Sequence, residues 1–227
     1  MNKKTHSVKV RRLETEASEA QASGTSLSGV HPTKVRPLKS HSKELVGAKA
    51  RSSKVHSVEG YDFSEGRHFF FDTNIWLYIY GPISFPDWRS DVYSRALKEI
   101  RASEGSIYIN CMIISEFVNA FARIEFKQQS EFSKYKEFRN SPSFRPVAED
   151  ISHNVKKILI NTLTCDPELA AVKLPEIMDS FEEGRYDFND LLYSEVCRAK
   201  DLIFVTHDRD FRDLGIEILT ANERMLG

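Results

Sequence analysis

Cysteine is scarce: Cys111, Cys165 and Cys197 are the only three, and no two stand in a C-x-x-C spacing. A disulfide framework or a zinc site needs more ligands at tighter spacing, so buried reduced thiols in a cytosolic protein are expected. Long apolar runs are lacking too. No stretch approaches the roughly 18–20 residues that a membrane span requires, so no membrane partner is expected. The amino terminus carries Lys and Arg without an apolar h-region, which argues against a secretory signal. Glu14, Glu16 and Glu19 interrupt the basic run, which argues against a transit peptide, and the cytoplasm is the default compartment. Residues 1–60 contain no aromatic side chain, and no Gly-rich phosphate loop occurs anywhere in the chain. Nucleotide-binding P-loop and dinucleotide-binding folds are thereby set aside.

The overall charge of −1 hides two unlike parts. Residues 1–60 hold 12 basic and 5 acidic residues, and the remainder holds 20 basic and 28 acidic. The first part has Val singletons among Ser, Lys and His and no sustained periodicity. It cannot bury enough apolar surface to offset its ordering entropy, so it is read as a basic, disordered N-terminal extension. Such an arm could touch nucleic acid by charge or be a solvated tail.

From residue 67 the texture changes. Phe69-Phe70-Phe71 reads as a short buried strand, and residues 74–80 as a helical segment stopped by Gly81-Pro82. Apolar spacing predicts a helix over 89–102, a strand over 106–109, an amphipathic helix over 115–126 and a further helix reaching Phe138. A loop through Pro142 and Pro146 follows, then helices over about 147–163 and 167–181. A turn at Glu183-Gly184-Arg185 precedes a helix over 190–200, and strands are expected at 202–205 and 216–219. Strands alternating with helices point to an α/β fold with a mostly parallel sheet covered on both faces.

Four carboxylates stand out in this layout. Asp72 follows the first strand, Glu116 and Asp190 lie at expected helix starts where the macrodipole favours an acid, and Asp208 follows Phe204-Val205-Thr206-His207. Carboxyl ends of strands are where open α/β sheets place ligands. Like charges meeting in a low dielectric repel, and a hard divalent cation with oxygen ligands resolves the conflict. A haloacid-dehalogenase-like phosphatase needs a second acid two residues after its nucleophile, and Asn74 occupies that place. His207 could be a general base, although a solvent-facing neighbour is the simpler expectation. Tyr108, Trp76 and Phe121 read as core.

The series Phe71-Asp72-Thr73-Asn74, Ser115-Glu116, Asn189-Asp190-Leu191-Leu192 and Val205-Thr206-His207-Asp208-Arg209-Asp210-Phe211 resembles the PIN-domain nucleases, most closely the VapC-like toxin branch. The resemblance covers about residues 67–220. It implies a PIN-like three-layer α/β/α domain over 67–227 that cleaves RNA phosphodiesters as a metal-dependent endoribonuclease. Asp72, Glu116, Asp190 and Asp208 would hold Mg²⁺ or Mn²⁺, with Asn74 and Thr206 supporting the site and Asp210 a variable contributor. Asp187 is either a further ligand or a helix cap. Arg123 and Lys127, with Lys134, Lys136, Arg139 and Arg145, are either substrate contacts or a solvated helix face paired with Glu125, Glu131 and Glu137. An antitoxin protein and a second copy of the chain are further partners the resemblance suggests. The alternative is a non-catalytic PIN-like module that binds RNA or protein.

Overall fold

Three consecutive phenylalanines cannot be left in water, and the sheet is built around them. In the computed structural model, which describes residues 53–82, 87–165 and 172–227, β2 (His68–Phe71) carries Phe69, Phe70 and Phe71 at zero exposure. The other strands in chain order are β1 (Lys54–Ser57), β3 (Ser106–Ile109), β4 (Leu163–Thr164), β5 (Ile203–Val205) and β6 (Glu217–Thr220). They form one sheet in the order β1-β6-β5-β2-β3-β4, and every pairing is parallel.

Parallel neighbours need crossovers, and helices supply them. The crossover helices are α1 (Thr73–Tyr80), α2 (Trp88–Ala102), α3 (Cys111–Gln128), α4 (Tyr135–Arg139), α5 (Phe144–Ile160), α6 (Leu174–Glu182) and α7 (Phe188–Lys200), and α8 (Glu223–Leu226) follows the last strand. Side chains alternate across a strand. Phe70 therefore meets Tyr193 of α7 on one face, while Phe71 meets Trp76 of α1 on the other. The result is the expected three-layer α/β/α arrangement.

Two strands differ from the sequence expectation. β1 lies inside the span assigned to the extension: it pairs with β6 from Lys54↔Glu217 to Ser57↔Thr220. Val58 joins the core at 7% exposure, and its N–H reaches Thr220 O at 2.9 Å. The folded domain thus begins by residue 53; residues 1–52 lie outside the described residues, as do 167–171 of the expected 167–181 helix. β4 is two exposed residues at the opposite edge, where a longer helix was expected. α5 also starts earlier than expected, at Phe144, with Pro146 in its first turn. The missing N–H costs nothing there, because first-turn donors have no partner within the helix.

Removing residues 1–60 takes away β1 and Val58. It is expected to lower stability by about 3 kcal/mol, the cost of exposing one buried aliphatic side chain together with ladder bonds. Urea melts of the full chain and the truncated chain measure this, and equal midpoints would show that β1 is dispensable.

Candidate metal centre

The switch in strand order falls at β2, whose successor β3 lies on one side and β5 on the other. The crevice outside the carboxyl ends at such a point is the usual ligand site of an open α/β sheet. Because Phe71 pairs with Val205, the next residues, Asp72 and Thr206, meet across the crevice. Asp72 N–H continues the ladder to Val205 O at 3.0 Å.

Asp72 is buried, at 7% exposure. Thr206 Oγ1 donates to its Oδ2 at 2.6 Å, and Asn74 Nδ2 donates to the same oxygen. Thr206 Oγ1 also accepts from Asp208 N at 3.0 Å and from Asn74 Nδ2 at 3.2 Å. Asn74 Oδ1 accepts from His207 N at 3.3 Å. One knot of short polar side chains, with Asn74 and Thr206 at its centre, therefore fixes both Asp72 and the loop that carries Asp208.

Glu116 arrives on α3, which Asn110 caps by accepting from Ile113 N at 2.9 Å. The helix begins at Cys111, so Glu116 lies in its second turn rather than at its start. There the macrodipole has faded, and side chains do the positioning instead: Thr73 Oγ1 donates to Oε2 at 2.7 Å and Asn189 Nδ2 donates to Oε1. Asp190 is in the first turn of α7, as expected. Asp208 is exposed and caps the following turn, accepting from Asp210 N at 3.1 Å. Asp187 occupies the N-cap position of α7 but makes no capping bond through its side chain.

The electrostatics show that these groups share one region. Burial lifts the Asp72 carboxyl to about 7, opposed by its bond from Thr206 and reinforced by the charges of Glu116 and Asp208. Burial lifts Asp190 to about 7 as well, helped by Asp72, Asp187, Asp208 and Asp210. Tyr193, one helical turn beyond Asp190, has its phenol pushed up by burial and by Glu116. No ion pair among the described residues involves any of the four acids. Nor do three His, Cys, Asp or Glu groups among the described residues stand gathered as a ready-made coordination sphere. The donor chemistry nonetheless fits a hard divalent ion, being oxygen throughout and lacking any balancing cation.

Among the described residues, none of the basic candidates forms an ion pair with one of the four acids. Arg123 and Lys127 lie on the helix of Glu116, roughly 10 and 16 Å further along at 1.5 Å per residue. Arg123 covers the Tyr135 ring at 5.0 Å and Arg139 covers Phe144 at 4.3 Å. Arg145 pairs with Glu149 at 3.0 Å and Lys134 with Glu137 at 3.9 Å. His207 is half-buried rather than solvent-facing: its Nδ1 lies 2.9 Å from Tyr93 OH. Cys165 and Cys197 are buried as expected, whereas Cys111 is exposed. Trp76, Tyr108 and Phe121 are core. The roles of Thr73 and Asn189 as grips on Glu116 were not foreseen, although both sit beside a motif acid. No helix among the described residues is long and apolar enough to cross a membrane.

Thr206→Val tests the knot. It removes the donor to Asp72 and leaves Asp208 N without its acceptor. Divalent-ion affinity is expected to fall about 10–100-fold, as read by calorimetry with Mn²⁺. An unchanged affinity would separate the knot from ion binding.

An all-parallel α/β/α sheet with an acidic crevice at its switch point defines a narrow class of domain. The sequence model of the PIN domain family matches residues 69–217, a span that contains all four acids. The chain belongs to the PIN domain family, whose fold is generally that of a nuclease. Among solved structures, PAE2754 from Pyrobaculum aerophilum aligns with a TM-score of 0.43 at 16% identity, covering 72% of this chain and 96% of that one. No curated protein matches the chain.

Proposed function

We propose that this PIN-domain chain is a Mg²⁺- or Mn²⁺-dependent endoribonuclease that hydrolyses phosphodiester bonds of RNA. The observation that carries the reading is the buried Asp72 carboxylate at the head of β2, in electrostatic reach of Glu116 and Asp208, with Asp190 responding to Asp72 in turn. Asp72, Glu116, Asp190 and Asp208 would hold the ion, with Asp210 and Asp187 at the margin. A bound divalent ion would shield the phosphate oxygens and lower the pKa of the attacking water.

The chain's own residues supply the preorganisation. Thr206 and Asn74 fix one oxygen of Asp72. Thr73 and Asn189 grip Glu116 from two sides, so its carboxylate cannot swing away. The bond from Asp208 N to Thr206 holds the last acid on the same loop. On family likeness, the proposal extends to the toxin of a toxin–antitoxin pair, which growth arrest on expression, relieved by a neighbouring small protein, would support.

The deciding experiment titrates Mg²⁺ and Mn²⁺ against a panel of tRNA, mRNA and single-stranded DNA. Cleavage of RNA that depends on the ion supports the reading, and full activity in EDTA overturns it.

A further inference from the structure

The two tryptophans of the chain are treated oppositely. Trp76 has no exposure, whereas Trp88, the first residue of α2, is 57% exposed. Trp88 nevertheless has an ordered neighbour. Its ring lies edge-on to His207, with centroids 5.8 Å apart at 68°. His207 is held edge-on in turn by Tyr78 at 5.8 Å and Tyr93 at 6.0 Å, and those two rings stack on each other at 5.9 Å and 8°. Arg89 lies over Tyr78 at 4.4 Å and donates to its hydroxyl at 2.9 Å, while Asp87 matches its charge. Tyr93 OH accepts from Ala221 N at 3.0 Å, which ties the cluster to the sheet.

This cluster adjoins the acids. His207 precedes Asp208, and its N–H donates to the Asn74 side chain, whose amide also holds Asp72.

We propose that Trp88 and His207 form a stacking platform beside the acidic crevice, which seats an unpaired nucleobase of the strand being cut. The proposal rests on the nuclease reading for the identity of its ligand. A cluster of carboxylates repels the phosphates it must admit, and Arg89, the cation held within this cluster, is already paired with Asp87. A grip that does not rely on charge therefore suits this place. Every base has a π-face, so stacking on an aromatic ring is tolerant of sequence and holds a single strand where phosphate contacts are weak. The His207 ring is already held by Tyr78 and Tyr93, so little of its side-chain entropy is lost when a base arrives. A protein partner would have no need of the shared Asn74 bond that sets the platform against Asp72.

The test uses the Asp72→Asn variant in Mg²⁺, which is expected to bind without cutting. It is titrated with a single-stranded oligoribonucleotide, the corresponding duplex and an abasic strand of equal length. The single strand is expected to quench indole emission. Adding Trp88→Ala should abolish most of that quenching and weaken single-strand binding about tenfold, the effect of losing one base–aromatic stack. Trp88→Phe should recover most of the affinity, and the abasic strand should bind every variant equally weakly. With Asp72 intact, Trp88→Ala should raise KM by the same factor and leave kcat unchanged, with the melting transition unaltered.

Single-strand binding that is indifferent to Trp88, with emission unchanged, overturns the platform, while ion-dependent cleavage would leave the nuclease reading standing. Tenfold weaker binding on Trp88 loss in a chain that never cleaves supports the platform and overturns the nuclease. A chain that binds none of the three strands overturns both.

Discussion

Asp72→Asn is expected to reduce RNA cleavage on the order of a thousandfold, the scale on which preorganised electrostatic groups act, while the fold stays intact. The change is close to isosteric. Thr206 Oγ1 and Asn74 Nδ2 both donate to the same oxygen, Oδ2. An amide oxygen placed there keeps both bonds, so the substitution removes charge and leaves the polar knot largely as it was. Asp208→Asn should lose activity as well. Asp210→Asn should lose less, because its backbone N–H rather than its carboxylate makes the bond within the loop. Single-turnover cleavage of a single-stranded RNA in saturating Mg²⁺ gives these values. Full activity in Asp72→Asn would remove the residue from the chemistry.

The same substitution should make the ion-free protein more stable at pH 8. Burial raises the folded-state Asp72 carboxyl from 3.8 to about 7. At pH below 3.8 the group is protonated in both states and contributes no difference. Between 3.8 and 7 the unfolded chain ionises first, so stability falls as pH rises, and above 7 the loss is complete. Lifting the pKa from 3.8 to about 7 corresponds to about 4 kcal/mol at that plateau. Asp190 adds in the same direction but is only partly buried, so solvent screening weakens its share. Asn has no such penalty. In urea melts with EDTA, wild type should lose stability from pH 5 to pH 8, and the difference from Asp72→Asn should grow over that interval. Mg²⁺ at pH 8 should restore wild type and leave the variant nearly unchanged. A difference that is flat with pH would mean that the carboxylate is not held in a desolvated site.

Local chemistry explains what the sequence disclosed. Phe69-Phe70-Phe71 and Ile203-Phe204-Val205 are short contiguous apolar runs, which is how strands buried on both faces read. The acid or polar turn just after such a run therefore marks the end of the sheet. That logic placed Asp72, Asp208 and Thr206 together. It failed for β1, where Lys54-Val55-His56-Ser57 is an edge strand whose apolar character is one residue and whose partner lies some 160 positions away. It failed for β4 because two exposed residues carry no pattern.

The grips on Glu116 and the environment of His207 were hidden for a related reason. Thr73 meets Glu116, Asn189 meets Glu116 and Trp88 meets His207 only once the crossovers are in place. Arg123 and Lys127 lie about two and three turns beyond Glu116 on the same helix, and neither forms an ion pair with one of the four acids.

The strand order has a kinetic consequence. The first described strand pairs with the last, and Asp72 and Asp208, 136 positions apart, are joined through adjacent strands. Few contacts that matter for the crevice are local, so loop-closure entropy must be met before they form, a topology that folds slowly. No shorter stretch of this chain contains the four acids in their native relation. An unfinished or partly unfolded copy should therefore lack the acidic crevice, which is complete only when β5 and the loop after it have docked beside β2.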